Sequence, residues 1–239
     1  MIKHTKKNRE HFWYKKFKQD SEKYKLEFFN ENQERINHLK LERPEQFYAH
    51  HFVNSNDTVL ELGARYGTVS CTVNKKLRNK THHVVVEPDK TVWNALHFNK
   101  KHNNSYFHII EGFVSSKKYN LLYPNNDYSI KSNITPVYDI GYNATMHQVK
   151  ESDIPSIDLK FLERDSGLKF NVLIVDCEGC LEEFLKEYSY LLKQLRMVMY
   201  EKDNLFMCNY DFVEKLLKQN GFFLKQKTFD NHQFVWLKI

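Results

Sequence analysis

Thr58-Val59-Leu60-Glu61-Leu62-Gly63-Ala64-Arg65-Tyr66-Gly67 decides the fold of this chain. Residues 58–62 are an apolar run that reads as a buried strand, 63–67 as a glycine turn, and the residues up to about Asn79 as a helix. The unit recurs. His83-Val-Val-Val-Glu87 is a second strand, 91–102 a helix and 106–111 a third strand. Val172-Leu-Ile-Val175 ends at Asp176, a helix follows over 181–192, and Met197-Val-Met-Tyr200 ends at Glu201. After a helix over 210–219 come two strands, 222–228 and 233–239, joined by Phe229-Asp-Asn-His232. Continuous apolar runs, rather than alternating ones, belong to strands covered on both faces. Strand–helix repetition predicts an α/β, Rossmann-like, doubly wound sheet, mostly parallel, with a C-terminal antiparallel hairpin.

The chain has 239 residues, 36 Lys and Arg, 30 Asp and Glu, and a formal charge of +6. The location of the charge matters more than its size. Residues 1–18 hold seven basic residues (Lys3, Lys6, Lys7, Arg9, Lys15, Lys16, Lys18) against Glu10, so the remainder is neutral. Bulk charge therefore excludes a basic nucleic-acid-binding domain, and only residues 1–18 offer a phosphate-contacting arm. No apolar run reaches the length of a membrane span, and no apolar core follows the basic N-terminus as in a secretory signal. The four cysteines (Cys71, Cys177, Cys180, Cys208) read as reduced packing residues of a cytoplasmic protein, because a zinc site at Cys177 and Cys180 lacks two further ligands at suitable spacing.

Two domains are expected. Residues 1–46 form a basic helical extension whose Trp13, Phe17, Tyr24 and Phe28 share one helical face and pack on the main domain, with Pro44 closing it. Residues 47–239 form the sheet domain. Within it, 112–170 is a long irregular stretch containing Tyr119, Tyr123, Tyr128, Tyr138 and Tyr142, and it reads as a substrate lid over the ligand crevice.

Glu61, Glu87, Asp176 and Glu201 stand at or beside strand ends, with Glu111 a fifth, on the sheet edge where ligands bind in open α/β folds. Gly63 lets the backbone approach a ligand, and Gly67 lets the next helix pack closely. A carboxylate at Glu87 is placed to accept the hydroxyls of an adenosine ribose. Asp176 and Glu178, with Glu201 facing them, are candidates for deprotonating a hydroxyl. If these three converge, they supply oxygen ligands for Mg²⁺ or Mn²⁺. His147, in the lid, is an alternative base.

These residues carry a resemblance. Val59-Leu-Glu-Leu-Gly-Ala-Arg-Tyr-Gly67 is similar to the first motif of class I S-adenosylmethionine-dependent methyltransferases. Val86-Glu87-Pro88-Asp89 with Leu96, Asn99 and Asn103, then Ile174-Val-Asp176-Cys-Glu178-Gly179 with Glu183 and Leu185, resemble the FkbM family more narrowly. The match spans about residues 56–224. It departs at Glu61, where Asp is usual, at Arg65-Tyr66 and at Cys180. The resemblance implies methyl transfer from S-adenosylmethionine to a hydroxyl, often on a sugar. Glu61, Gly63, Ala64, Arg65, Tyr66, Gly67, Glu87 and Pro88 would hold the cofactor. Glu111 and Gly112 would lie near the adenine, and Asp176 near the methionine amine or the acceptor. The expected partner is a sugar or glycan acceptor. The competing readings are an RNA methyltransferase using the basic arm and a non-catalytic, cofactor-binding assembly protein.

Overall fold

A computed structural model describes residues 6–123 and 144–238, with side chains from residue 15 onward. Seven strands form the central sheet: β1 (Val59–Leu62), β2 (His83–Glu87), β3 (His108–Glu111), β4 (Val172–Val175), β5 (Met197–Glu201), β6 (Phe222–Lys227) and β7 (Gln233–Lys238). Their order is β6-β7-β5-β4-β1-β2-β3. The first five are parallel, and β7 runs antiparallel to both β5 and β6. The expected doubly wound sheet and C-terminal hairpin are therefore present. The chain winds outward from β1 in one direction through β3, then crosses back to β4 on the other side of β1. That reversal opens a crevice beyond the carboxyl ends of β1 and β4.

Among the described residues seven α-helices accompany the sheet: α1 (Lys6–Tyr24), α2 (Arg43–Phe52), α3 (Thr68–Lys76), α4 (Trp93–His102), α5 (Leu159–Ser166), α6 (Leu181–Glu187) and α7 (Tyr210–Gln219). Alternate strand residues face opposite layers. Leu60, Leu62, Leu173, Val175 and Val198 pack with Leu162, Leu185 and Val213 of α5, α6 and α7. Val59, Val172, Ile174 and Met197 pack with Phe17, Phe47 and Val73 of α1, α2 and α3. Both faces are covered, which is why the strands read as continuous apolar runs.

The N-terminal part differs from expectation. The anticipated boundary between residues 46 and 47 falls inside α2, and Pro44 opens that helix instead of closing the region. Proline suits a first helical turn because its missing N–H would have no partner there. Phe17 meets Phe47 edge-on, with ring centroids 6.4 Å apart, so α1 is part of the layer that covers the sheet. Phe28 lies beyond α1, in a short strand (Phe28–Phe29) paired with Arg35–Ile36, and is buried against Val85 and Leu96. The side chain of Trp13 lies outside the described residues. Asn99 and Asn103 of α4 fasten this hairpin: Phe29 N donates to Asn99 Oδ1 at 2.9 Å, and Asn103 Nδ2 donates to Glu27 O at 2.7 Å.

The stretch 112–170 is more regular than its sequence indicates. Lys118–Leu122 pairs antiparallel with Thr145–Val149, Phe113–Val114 pairs with Ser156–Ile157, and α5 follows. These pairings join residues far apart in sequence, so no local periodicity announces them. Tyr128, Tyr138 and Tyr142 lie outside the described residues. Among the described residues no helix is long and apolar enough to cross a membrane.

Candidate functional site

A cavity of about 560 Å³ occupies the crevice beyond β1 and β4. Its floor is the glycine turn. The register sets Leu62 beside Val175, so the residues that follow, Gly63 and Asp176, also lie side by side. Gly63 has φ of +82°, and a Cβ there would lie 1.6 Å from the Asp176 carbonyl oxygen. Its glycine is thus required first by the β4 turn and only then by any ligand. Gly67 has φ of +76°, and a Cβ would press on Leu96 of α4 at 2.8 Å. It serves helix packing, as its sequence position implied.

The carboxylate of Glu87 braces the turn. Oε2 accepts from Ala64 N at 3.0 Å and Arg65 N at 2.7 Å, and Oε1 accepts from Asp89 N at 2.8 Å. A carboxylate has about four acceptor positions, so three backbone donors leave room for one more. Burial pushes Glu87 above the usual carboxylate range, against the pull of those amides. Gly63, Ala64, Arg65, Glu87 and Pro88 all line the cavity. Tyr66 and Gly67 do not. Tyr66 is buried against Val92 and Ala95, and its hydroxyl donates to Glu31 at 2.5 Å.

Glu61 lines the cavity but its oxygens are occupied. Ser70 Oγ donates to one at 2.6 Å, and His83 Nε2 lies 2.9 Å from the other. Glu111 and Gly112 are apart from the group. β3 is the sheet edge, Glu111 pairs with His97 at 2.7 Å, and the two face a separate shallow hollow. A Cβ on Gly112 would strike the Pro155 carbonyl oxygen at 2.2 Å, so this glycine accommodates a backbone crossing. His147 is exposed on the hairpin strand and does not line the cavity, whereas its neighbours Ala144 and Met146 do. Tyr119 also lines it, buried against Phe113.

The acids at the far end converge more than the sequence indicates. Ligand oxygens of Glu45, Asp176 and Glu201 lie within 4.8 Å of one another. Glu178, expected in that trio, stands outside it and Glu45 takes its place. Nothing in the sequence near Glu45 marks it, because α2 is far from the strand-end motifs and reaches them only by packing on the sheet. Burial, then Glu45 and Glu201, push Asp176 well above the usual range. Burial, then Glu201 and Glu42, do the same to Glu45. Burial raises Glu42 to about 7, although the Thr68 hydroxyl bonded to it and Arg65 oppose the shift. Glu178, at φ of +52°, is raised to about 8 by burial, Asp203 and Glu201, with Arg65 opposing. Glu201 Oε1 contacts His232 Nδ1 at 2.9 Å. Of the described residues lining the cavity, twelve are acidic and only Arg65 is a permanent cation, so the field inside favours positive charge.

Cys177 and Cys180 are joined by a disulfide, which corrects the expectation of reduced, unlinked cysteines. The turn between β4 and α6 reverses over Glu178 and Gly179 and brings the two sulfurs together, a closeness that residue spacing alone does not decide. Both cysteines line the cavity, and Cys71 and Cys208 are free and buried.

No protein-family model matches the chain, and no curated protein matches it significantly. Solved structures are similar in outline. An O-methyltransferase from Bacillus cereus in complex with SAH is 10% identical, with 94% of this chain and 89% of that one covered and a TM-score of 0.48. A precorrin-6y C5,15-methyltransferase from Geobacter metallireducens is 9% identical, with coverage of 81% and 88% and a TM-score of 0.47. A protein in the NADB-Rossmann superfamily from Streptococcus agalactiae is 9% identical, with coverage of 81% and 67% and a TM-score of 0.49. At these identities and scores the likeness carries no conclusion about function.

Proposed function

We propose that this chain is an S-adenosylmethionine-dependent O-methyltransferase whose acceptor is a sugar hydroxyl of a glycan or glycoconjugate. The observation that carries the reading is the glycine turn held against Glu87 at the floor of an acid-lined cavity. Gly63 and Ala64 leave the backbone open to a nucleoside, and the remaining acceptor capacity of Glu87 suits a ribose hydroxyl. S-adenosylmethionine carries a sulfonium and an ammonium, and a cavity with twelve acids complements both. The same field repels the phosphates of a nucleic acid, which favours a neutral glycan over RNA.

The reaction is an in-line displacement. The acceptor oxygen attacks the methyl carbon, the carbon–sulfur bond breaks with its electron pair on sulfur, and the hydroxyl proton passes to a carboxylate. Glu178, raised to about 8, has a proton affinity matched to a base working near neutral pH. Asp176 lies beside the turn and serves to position the acceptor, while Glu201, tied to His232, supports them. The three are assigned together as the catalytic group.

The test is calorimetry with S-adenosylmethionine, followed by transfer of a labelled methyl group to a panel of oligosaccharides and nucleotide sugars. Cofactor binding with methylation of a sugar supports the reading. Methylation of RNA alone, lost on deleting residues 1–18, overturns the acceptor class. Cofactor binding with no acceptor turned over favours an assembly role.

A further inference from the structure

We propose that Glu45, Asp176 and Glu201 form a binding site for one divalent cation of the Mg²⁺ or Mn²⁺ class. The site goes beyond methyl transfer and does not depend on it. Its oxygens come from three separate elements, α2, the end of β4 and the end of β5, and converge within 4.8 Å of one another. The observation that separates it from an ordinary acidic patch is Glu45. That residue is 2% exposed, lines the cavity, and neither of its oxygens has a hydrogen-bond partner. The Gln233 side chain favours the charged form of Glu45 from beyond hydrogen-bond geometry. A buried carboxylate without a hydrogen-bond partner is unfavourable as an anion unless a counter-charge accompanies it.

Among the described residues, no lysine or arginine is among the groups acting most strongly on Glu45 or Asp176, and His232 meets only the outer ligand, Glu201, at Oε1. The groups acting most strongly on Asp176 are Glu45, Glu201, Glu42 and Asp203, all acids. Arg65 acts instead on Glu42 and Glu178, at the rim of the group. An ammonium ligand would neutralise one of three negative charges, whereas a divalent ion neutralises two. The donor set is oxygen alone, with no imidazole or thiolate in it, which selects hard cations over zinc or copper. Bonds of about 2.1 Å to such an ion require the three side chains to draw in by a rotamer-scale adjustment. Three protein ligands leave positions for water or for an acceptor oxygen. The inference gives the N-terminal region a direct part in the site, because α2 supplies a ligand.

The experiment is a Mn²⁺ titration of the full chain after dialysis against chelator, followed by electron paramagnetic resonance of free Mn²⁺, with Mg²⁺ as competitor. Wild type is expected to take up one Mn²⁺ that Mg²⁺ displaces. Glu45→Gln and Glu201→Gln should each weaken uptake at least tenfold while keeping the wild-type circular dichroism spectrum. If Glu45→Gln does not fold, the half-buried Glu201→Gln carries the comparison. Absence of saturable uptake by wild type, or undiminished uptake in the folded variants, overturns the site. S-adenosylmethionine binding is measured in parallel. Cofactor binding without Mn²⁺ uptake removes the cation site and leaves the methyl-transfer reading standing. Mn²⁺ uptake without cofactor binding upholds the site and removes that reading.

Discussion

Gly63 and Asp176 touch through their backbones: a Cβ on Gly63 would lie 1.6 Å from the carbonyl oxygen of Asp176. The contact fixes the distance between the turn after β1 and the turn after β4, and so the width of the cavity floor. Gly63→Ala is expected to destabilise the protein by at least about 2 kcal/mol, from the clash and from φ of +82° together. Gly167 has φ of +69° but nothing within 4 Å, so Gly167→Ala should cost only about 1 kcal/mol. Urea unfolding of the two variants measures the difference, and equal costs would contradict the backbone contact.

Glu87 is expected to affect folding as well as binding. Glu87→Ala leaves the Ala64, Arg65 and Asp89 amides without their acceptor. Stability should fall by about 1–3 kcal/mol and S-adenosylmethionine affinity by about ten- to a hundredfold. Thermal melting and calorimetry read the two effects. Unchanged affinity in a folded variant would remove Glu87 from the cofactor site.

The raised acids set an unusual pH dependence. Glu42, at about 7, and Glu178, at about 8, hold protons more tightly in the folded chain than at the ordinary carboxylate value of 4.5. Their contribution is therefore fully present at low pH and is lost as pH rises from about 4.5 through 8. With chelator present, the protein should be more stable at pH 5.5 than at pH 8.5 by an amount on the order of 1–2 kcal/mol, read as a higher Tm at the lower pH. Glu178→Gln should flatten the upper part of that slope. A Tm that climbs steadily with pH would contradict the burial of these groups.

Arg196 provides a contrast away from the cavity. Its Nε donates to Asp57 Oδ1 at 2.7 Å, a terminal nitrogen donates to the other Asp57 oxygen, and the same nitrogen reaches Phe52 O at 3.0 Å. Asp57 is nearly buried, so the pair ties the start of β5 to the segment before β1. Arg196→Lys loses the fork and should cost about 1–3 kcal/mol. S-adenosylmethionine affinity of the folded variant should be unchanged, and a tenfold loss would mean the strand ends transmit strain to the site.

The disulfide between Cys177 and Cys180 closes a very short loop, so its removal should cost about 2 kcal/mol at most. The larger effect is expected on turnover, because Glu178 lies within the loop. Melting curves and methyl-transfer rates with and without dithiothreitol separate the two. A large loss of stability with no change in rate would reverse this order.

The sequence by itself determined the strands, most of the helices and the acids at the strand ends, because burial on both faces and helical amphipathicity are written within a few consecutive residues. It also placed Gly63, Ala64, Arg65, Glu87 and Pro88 at the crevice, since a glycine turn after a buried strand has a fixed place in a doubly wound sheet. Tertiary structure decided which acids meet. Glu111 is excluded because β3 became the sheet edge, and Glu45 is included because α2 packs over β7 and carries a carboxylate to the ends of β4 and β5. The hairpin within 112–170 and the Cys177–Cys180 bond were likewise settled by contacts between segments. Local sequence reports how a segment is buried; which segments become neighbours depends on strand order and helix packing, and the site lies where those neighbours meet.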